Sequence, residues 1–181
     1  MLRERSYRRG EFTLASGRKS DFFIDCKRTV LSPDGHAIAG LVVLDEVEAI
    51  SVERPVGGLV AVPLGGCPLA GSACLAAFQR GLRFQLIYVR PERKDHGTGK
   101  QIEGADVLPR GARVVLIEDV VTSGGSSLRA VEALRGAGLE VEDVVVLIDR
   151  KEGGRELLAE HGLKLRAIFT RDDFIPPTTA A

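Results

Sequence analysis

Apolar and polar residues alternate along the chain in blocks that predict buried strands separated by helices. Four short apolar runs rich in β-branched residues predict the strands: GLVAV at 58–62, FQLIYV at 84–89, RVVLI at 113–117 and DVVVLI at 143–148. Each run is continuous rather than alternating, as in strands that are buried on both faces of a parallel sheet. We therefore expect a central sheet that lies inside the protein.

Helical patterns lie between these strands. After Gly125, apolar residues recur three apart up to Leu134, which predicts a helix with one apolar face. Segments 66–80 and 35–50 are also predicted to be helical. Strand alternating with helix indicates an α/β fold with a mostly parallel sheet. Because ligands of such sheets bind beyond the carboxyl ends of the strands, we expect the functional residues there.

Three segments do not follow this alternation. Residues 1–33 contain the strand-turn-strand pattern FTLASGRKSDFFIDCK at 12–27, and the tail from Leu165 ends in Pro and Thr. We expect both to form a small cap on a single domain that covers residues 1–181. Residues 90–104 are polar and interrupted by glycine, which predicts a mobile lid loop.

Composition excludes several classes of function. Lys plus Arg and Asp plus Glu both number 25, so the chain has no net positive charge to hold nucleic acid or an anionic membrane. Cys26, Cys67 and Cys74 lack the paired spacing of a zinc or redox motif and are interpreted as buried thiols in a reducing compartment. The start, MLRERSYRRGEF, has no apolar core of a secretory signal, and no apolar run reaches the ~20 residues that span a bilayer. We expect a soluble, cytoplasmic protein.

The strongest chemical signal is RVVLIEDVVTSGGSSLRA at 113–130. Its strand ends in Glu118 and Asp119, and a loop of small residues then leads into a helix. Successive backbone N–H groups at a helix N-terminus favour a phosphate, and the acids can accept hydrogen bonds from a ribose diol. No Lys follows the glycines, so this is not a Walker A loop. The motif predicts a ribose 5-phosphate site; the alternative is a capping or ion-paired acid pair before an ordinary turn.

The run VVLIEDVVTSGGSS resembles the signature by which type I phosphoribosyltransferases bind phosphoribosyl pyrophosphate (PRPP). The resemblance implies the fold of that family, with a mostly parallel central sheet, flanking helices, an N-terminal hood and a mobile lid. It also implies that Asp119 is catalytic. The residues that it assigns to PRPP binding are Glu118, Asp119, Val120, Val121, Thr122, Ser123, Gly124, Gly125 and Ser126. The signature alone does not distinguish the acceptor base.

Three further segments resemble orotate phosphoribosyltransferases. Residues 12–27 resemble their base-binding segment, VRPERKDHGTGKQIEG at 89–104 their catalytic loop, and LIDRKEGG at 147–154 their strand ending in a base-contacting Arg. The resemblance implies a homodimer whose lid closes over the neighbouring subunit's site, with Lys94 catalytic. It assigns Arg90, Lys94 and His96 to the pyrophosphate of PRPP, and Phe23, Thr122 and Arg150 to the orotate pocket.

The sequence also departs from some members of that family. Several of them carry Lys where this chain has Ala15, Gly65 and Pro91, so the lid has fewer cations unless Arg93 or Lys100 compensates. Magnesium is expected as the cofactor. Because Mg²⁺ keeps much of its water and prefers phosphate oxygens, PRPP and water should hold it without direct protein ligands.

The expected function is therefore conversion of orotate and PRPP to orotidine 5′-monophosphate and pyrophosphate, in pyrimidine (UMP) biosynthesis. A purine phosphoribosyltransferase is the alternative enzyme. The guanidinium of Arg150 matches the orotate carboxylate, although a surface ion pair with Glu152 or Glu156 would also explain it. A non-catalytic PRPP-binding regulator of nucleotide genes is the third alternative. Its support is a basic N-terminal cluster, diluted by two glutamates: Arg3, Arg5, Arg8 and Arg9, with Glu4 and Glu11.

Overall fold

The computed structural model describes residues 1–13, 19–90 and 101–175. The strands are β1 (Tyr7–Thr13), β2 (Lys19–Ile24), β3 (Gly58–Ala61), β4 (Gln85–Val89), β5 (Ile102–Glu103), β6 (Arg113–Val121), β7 (Glu140–Asp149) and β8 (Lys164–Thr170). The helices are α1 (Leu2–Arg5), α2 (Lys27–Val30), α3 (Pro33–Glu53), α4 (Gly66–Gln79), α5 (Gly125–Gly136) and α6 (Gly154–Glu160). A short 3₁₀ turn, Arg171–Asp173, follows β8.

A six-stranded sheet in the order β5-β4-β3-β6-β7-β8 forms the centre of the protein. All neighbouring strands in it are parallel except β5, which pairs antiparallel with β4. The four apolar runs of the sequence are the four inner strands β3, β4, β6 and β7. The expected α/β fold with a mostly parallel sheet is confirmed.

Helices cover both faces of this sheet. On one face α3 and α4 pack with the hairpin β1-β2, and on the other α5 and α6 pack over β6 to β8. Full burial of a Leu or Ile contributes roughly 1.5–3 kcal/mol, so these two apolar layers are the main source of stability. Large side chains that are almost completely buried include Leu44, Ile50, Leu69, Leu134 and Leu158.

The helix α3 begins earlier than its apolar pattern indicates. The hydroxyl of Ser32 accepts a hydrogen bond from the backbone N–H of Gly35 at 3.3 Å, and Pro33 occupies the first helical position. A Ser cap satisfies an N–H group that has no partner inside the helix, and Pro suits a position whose N–H is not needed. These two residues fix the start of the helix that packs most extensively against α4.

Two expectations about irregular segments need correction. The tail from Leu165 does not all belong to a cap, because Lys164–Thr170 forms β8 at the edge of the main sheet. The end of the expected lid is also ordered: the backbone N–H of Arg90 donates to the carbonyl of Gln101 at 2.8 Å, and Ile102–Glu103 then pairs with β4. β5 was missed because it has only two residues, and β8 because an edge strand carries polar residues and depends on its pairing with one neighbour.

The N-terminal hairpin lies over the carboxyl end of the sheet. It begins at Tyr7, earlier than the predicted pattern, and its inner residue Phe22 is buried. The Tyr7 ring stacks on Phe22 and on Phe174, with ring centroids 6.4 and 6.0 Å apart. The residues after β8 therefore help to hold the hairpin in place. Among the described residues, no helix is long and apolar enough to cross a membrane.

Candidate active site

The acid pair at the end of β6 points to opposite faces of the sheet. Glu118 faces α5, where it accepts a hydrogen bond from the hydroxyl of Ser126 at 2.8 Å and another from the hydroxyl of Ser127. It is 6% exposed. Burial raises the pKa of Glu118, and the two serine hydroxyls act against that shift. Glu118 thus joins β6 to the first turn of α5, and the structure does not bring it to the opening that Asp119 faces.

Asp119 lies on the other face, at the start of α4. A side chain at position 65 would overlap its carboxylate, so Gly65 is what allows this close approach. The Asp119 side chain is 18% exposed, and its Oδ2 lies 3.9 Å from the Nζ of Lys27. Burial raises the pKa of Asp119, whereas the charge of Lys27 lowers it. Asp119 is therefore a partly exposed acid at the carboxyl end of the sheet.

The loop after β6 presents backbone donors to the same opening. Gly124 has φ of +80°, a left-handed conformation that glycine adopts without strain, and it is the N-cap of α5. The first N–H groups of a helix have no acceptor within it, so those of Gly125, Ser126 and Ser127 are available for an anion. Ser123 and Ser126 are exposed, and Thr122 is partly buried. This arrangement is suited to a phosphate group.

Arg150 follows directly on β7, beside this loop. Its backbone N–H donates to the carbonyl of Val121 at 3.0 Å, so the ends of β6 and β7 are held together. Its guanidinium donates to Glu152 Oε1 at 2.8 Å and to the hydroxyl of Ser20 at 3.3 Å, and it lies 4.5 Å from the centre of the Phe22 ring. Arg150 is only 4% exposed. The ion pair with Glu152 does form, but it is buried under the hairpin rather than on the surface.

The turn after Arg150 packs against the phosphate loop through glycines. Asp149 accepts hydrogen bonds from the backbone N–H of Lys151 at 2.8 Å and from Arg155 at 3.1 Å, which fixes the turn. A Cβ atom on Gly154 would lie 2.7 Å from the carbonyl oxygen of Thr122, and one on Gly124 would lie 3.1 Å from the carbonyl oxygen of Gly154. The two turns therefore meet backbone to backbone.

A cavity of about 510 Å³ opens beside the buried Arg150. Its lining residues are Glu11, Lys19, Ser20, Asp21, Phe22, Glu152 and Arg171. The guanidinium of Arg171 lies 5.2 Å from the Phe22 ring, so Phe22 has an arginine from each of two distant segments against it. The wall is polar and carries charges of both signs, with Lys19 and Arg171 as its two cations.

Phe23, which the resemblance assigns to the orotate pocket, lies on the outer face of the hairpin, and that assignment stays a prediction. Phe23 is partly exposed and packs against Phe12 with ring centroids 5.4 Å apart, on the side away from Arg150. The structure thus brings Phe22, not Phe23, to Arg150. Ser20 and Lys27 were also missed as site residues. The alternation along β2 puts residues 20, 22 and 24 on one face, a signal that groups Ser20 with Phe22 but does not say which face is the inner one.

Only the first of the three expected lid residues can be placed. Arg90 donates to Glu103 Oε1 at 2.9 Å and lines a second cavity of about 250 Å³, next to Ser126 and Arg129. It therefore reaches the helix that begins at the phosphate loop. Lys94 and His96 lie outside the described residues, as do Ala15 and Pro91, so their expected roles stay predictions.

Comparison with known proteins agrees with this geometry. Residues 54–162 match the family model described as a phosphoribosyl transferase domain. An orotate phosphoribosyltransferase of Sorangium cellulosum is 49% identical over 97% of this chain and 90% of its own length. Among solved structures, the orotate phosphoribosyltransferase of Aeropyrum pernix is 33% identical, with a TM-score of 0.75 and coverage of 96% of this chain and 94% of that chain.

A second similar solved structure is a complex with PRPP. The Mycobacterium tuberculosis orotate phosphoribosyltransferase in complex with PRPP is 28% identical, with a TM-score of 0.72 and coverage of 96% of this chain and 93% of that one. The similarity extends through the hairpin, the sheet and the acid-pair loop, and is not confined to the signature. The chain belongs to the phosphoribosyltransferase family and, within it, to the orotate phosphoribosyltransferases.

Proposed function

We propose that the chain transfers the 5-phosphoribosyl group of PRPP to a ring nitrogen of orotate, releasing pyrophosphate and forming orotidine 5′-monophosphate for pyrimidine synthesis. A bond forms between that nitrogen and C1 of the ribose, and the bond from C1 to the pyrophosphate oxygen breaks. One observation carries the proposal: Asp119, the phosphate loop and the buried Arg150 meet at one edge of the sheet. Each of them suits a different part of the two substrates.

PRPP would bind along the end of β6. The 5-phosphate fits the N–H groups at the start of α5, from Gly125 to Ser127, where the helix dipole favours negative charge. The ribose hydroxyls can then donate to the carboxylate of Asp119. As pyrophosphate leaves, C1 of the ribose gains positive charge, and a fixed carboxylate nearby stabilises that charge. Asp119 is the group assigned to this role.

Orotate would bind beside Arg150, under the hairpin. A guanidinium can hold a carboxylate with two parallel hydrogen bonds. Orotate has such a carboxylate, and a purine base does not. Glu152 and Ser20 accept from Nε and Nη2 of Arg150, and because a guanidinium carries five N–H donors, others remain for the orotate carboxylate. Thr122, which precedes the phosphate loop, is the expected contact to the ring. The purine and regulator alternatives have no comparable support from the relatives.

The lid and Mg²⁺ complete the proposed mechanism. Arg90, Lys94 and His96 would close over the pyrophosphate, stabilise its growing negative charge and exclude water that would hydrolyse PRPP. Mg²⁺ supplies charge neutralisation on the pyrophosphate. Because Mg²⁺ keeps several of its waters and prefers phosphate oxygens, PRPP and water would hold the ion.

We propose a homodimer in which each lid serves the neighbouring site. The support is an exposed apolar stripe on α4, formed by Leu75 and Phe78, with Leu64 exposed just before the helix. Large apolar side chains grouped on one surface are typical of subunit interfaces. The face begins at Leu64, next to the Gly65 that Asp119 approaches, so a second chain that covered it would come close to the substrate site at that end.

A turnover assay tests the function. Purified protein with PRPP and Mg²⁺ is offered orotate, and in parallel hypoxanthine, guanine and adenine, while loss of each free base is followed. Orotate should be consumed with stoichiometric release of pyrophosphate, and the purines should not. Consumption of a purine instead, or PRPP binding without any base consumed, would support one of the two alternatives.

Subunit mixing tests the shared lid. Lys94→Ala should lower kcat on the order of 100-fold, as loss of one preorganised donor to the transition state does. Asp119→Asn should weaken PRPP use with the fold intact, because it keeps the shape but removes the anion. Mixed dimers of the two variants should regain activity well above either parent. If activity stays at the sum of the parents after verified subunit exchange, each lid acts on its own chain.

A further inference from the structure

The segment that leaves the hairpin contacts Asp119 at two points. Lys27, the first residue of α2, places its Nζ 3.9 Å from Oδ2 of Asp119 and 3.1 Å from Oδ1 of Asp25. Cys26, one residue earlier, is fully buried, and its thiol donates to the backbone carbonyl of Asp119 at a sulfur-to-oxygen distance of 3.9 Å. Both the backbone and the side chain of Asp119 are therefore held by this short segment.

Among the groups around Asp119, Lys27 is the one whose charge most strongly lowers the pKa of the Asp119 carboxyl. On the α4 side Gly65 contributes no side chain, and on β6 the neighbouring Glu118 points to the opposite face. On the hairpin side stand Asp25, Cys26 and Lys27. Burial is the largest cause that raises the pKa of Asp119, and the charge of Asp25 acts in the same direction. The charge of Lys27 is the largest effect in the other direction.

We propose that Lys27 is a positioning residue of the acid pair: its ammonium, anchored by Asp25, keeps Asp119 an anion and holds it against Gly65, facing the ribose of PRPP. The assignment deepens the proposed function and rests on it. The Lys27 side chain is 48% exposed, so it borders the opening without closing it. The carboxylate therefore keeps an open side for the ribose hydroxyls.

The pH dependence of catalysis tests this role. Lys27→Met removes the charge, so the pKa of Asp119 should rise. When the pH is lowered, the variant should then lose activity at a higher pH than the wild type does. The acidic limb of kcat/KM for PRPP should move up by about 1 pH unit, the lower end of what a nearby opposite charge contributes, while the plateau at higher pH changes little. Lys27→Arg should restore the wild-type limb. Lys164→Met, at the start of β8, is the control for loss of an exposed lysine.

A second measurement does not depend on turnover. The side-chain carboxyl carbon of Asp119, assigned by its absence from the Asp119→Asn spectrum, is titrated by ¹³C NMR in wild type and in Lys27→Met. A higher pKa of Asp119 in the variant supports the proposal. An unchanged titration overturns it, whether or not activity falls, as does an equal loss of kcat/KM at every pH.

The two readouts also separate this inference from the proposed function. A raised pKa of Asp119 in a protein that does not consume orotate would retain Lys27 as the partner of Asp119 and reject the reaction. Orotate turnover by the wild type, together with an unchanged pKa of Asp119 in the variant, would retain the reaction and reject the role of Lys27. If Lys27→Met does not fold, which thermal unfolding reveals, Lys27→Gln is measured in the same way, because it removes the charge and keeps a polar chain of similar length.

Discussion

The two ends of the central sheet both bury charged side chains, but they neutralise them differently. At the amino end, Asp143 is 1% exposed and receives hydrogen bonds from Arg113 at 2.7 Å and Arg166 at 2.8 Å. At the carboxyl end, Glu118 is bonded only by hydroxyl groups among the contacts described above, and Asp119 has Lys27 at 3.9 Å. The first end has its counter-charges built in. At the second end Asp149 and Arg150 also have counter-charges, Arg155 and Glu152, but the acid pair is left with charge for a substrate to complement.

This difference separates a structural acid from a functional one. A buried ion pair has little net effect on stability when intact, but loss of one partner leaves the other buried without compensation. A carboxylate whose pKa is raised by burial is instead destabilising while it is ionised, and such groups are concentrated at functional sites. Substitutions at the amino end should therefore mainly lower stability, whereas substitutions at the carboxyl end should mainly change activity.

The largest effect is expected at the amino end. Asp143→Asn keeps the size of the side chain but removes the buried anion of Arg113, whose guanidinium then has only the partly exposed Glu142, 3.4 Å from its Nε, as a counter-charge. The free energy of unfolding should fall by about 3 kcal/mol, as for other broken buried ion pairs. Urea denaturation measures the change, and KM values of the remaining folded protein should match those of wild type. If the free energy of unfolding fell by less than it does when an exposed ion pair is broken, such as that of Arg80 with Asp45, the distinction between the two ends would be wrong.

A smaller effect is expected when an arginine is removed at the carboxyl end. Arg150→Ala should raise KM for orotate by about 10- to 150-fold, because each charge-assisted hydrogen bond contributes roughly 1.5–3 kcal/mol. KM for PRPP should change far less. Arg166→Ala, which removes an arginine from the amino end, is the matched control: it should reduce stability and leave both KM values unchanged. Equal changes for both substrates in Arg150→Ala would mean that Arg150 does not hold the orotate carboxylate.

The smallest effect, of opposite sign, is expected at Glu118. Burial raises the pKa of Glu118, so the folded state retains its proton above the ordinary Glu pKa, and stability is lost as the pH rises through the raised value. Glu118→Gln has no such loss. At about pH 8 the free energy of unfolding of the variant should be at least that of wild type, and higher by no more than about 1 kcal/mol. The difference should become smaller as the pH is lowered toward about pH 5. Unfolding curves at several pH values measure it; a destabilised variant would make Glu118 a structural acid like Asp143.

The parts of the site that are continuous in sequence were predictable, and those that depend on distant packing were not. The strand, acid pair and glycine loop of residues 113–130 form one local unit whose chemistry follows from its order. The contacts of Ser20 with Arg150 and of Lys27 with Asp119 join residues about a hundred positions apart. They exist only because the hairpin folds over the sheet. No local pattern encodes that placement.

The aromatic pair in β2 illustrates the same limit on a smaller scale. With Phe22 and Phe23 adjacent, period-two alternation predicts that one faces inward but does not say which. The stacking of Tyr7 on Phe22 settles it, and Tyr7 in turn stacks on Phe174, which lies at the far end of the chain. The edge strand β8 was missed for a related reason, since its strand character depends on pairing with β7.

The backbone contact between the phosphate loop and the turn after Arg150 limits how this enzyme could be redesigned for another base. Any side chain at position 154 would collide with the carbonyl of Thr122 and displace the loop assigned to the phosphate. Residues 151 and 152 already carry side chains, although Lys151 has a left-handed φ of +56° and Glu152 is paired with Arg150. Changes of base preference should therefore be accessible through those two positions and the hairpin, whereas a change at Gly154 would alter the handling of both substrates at once.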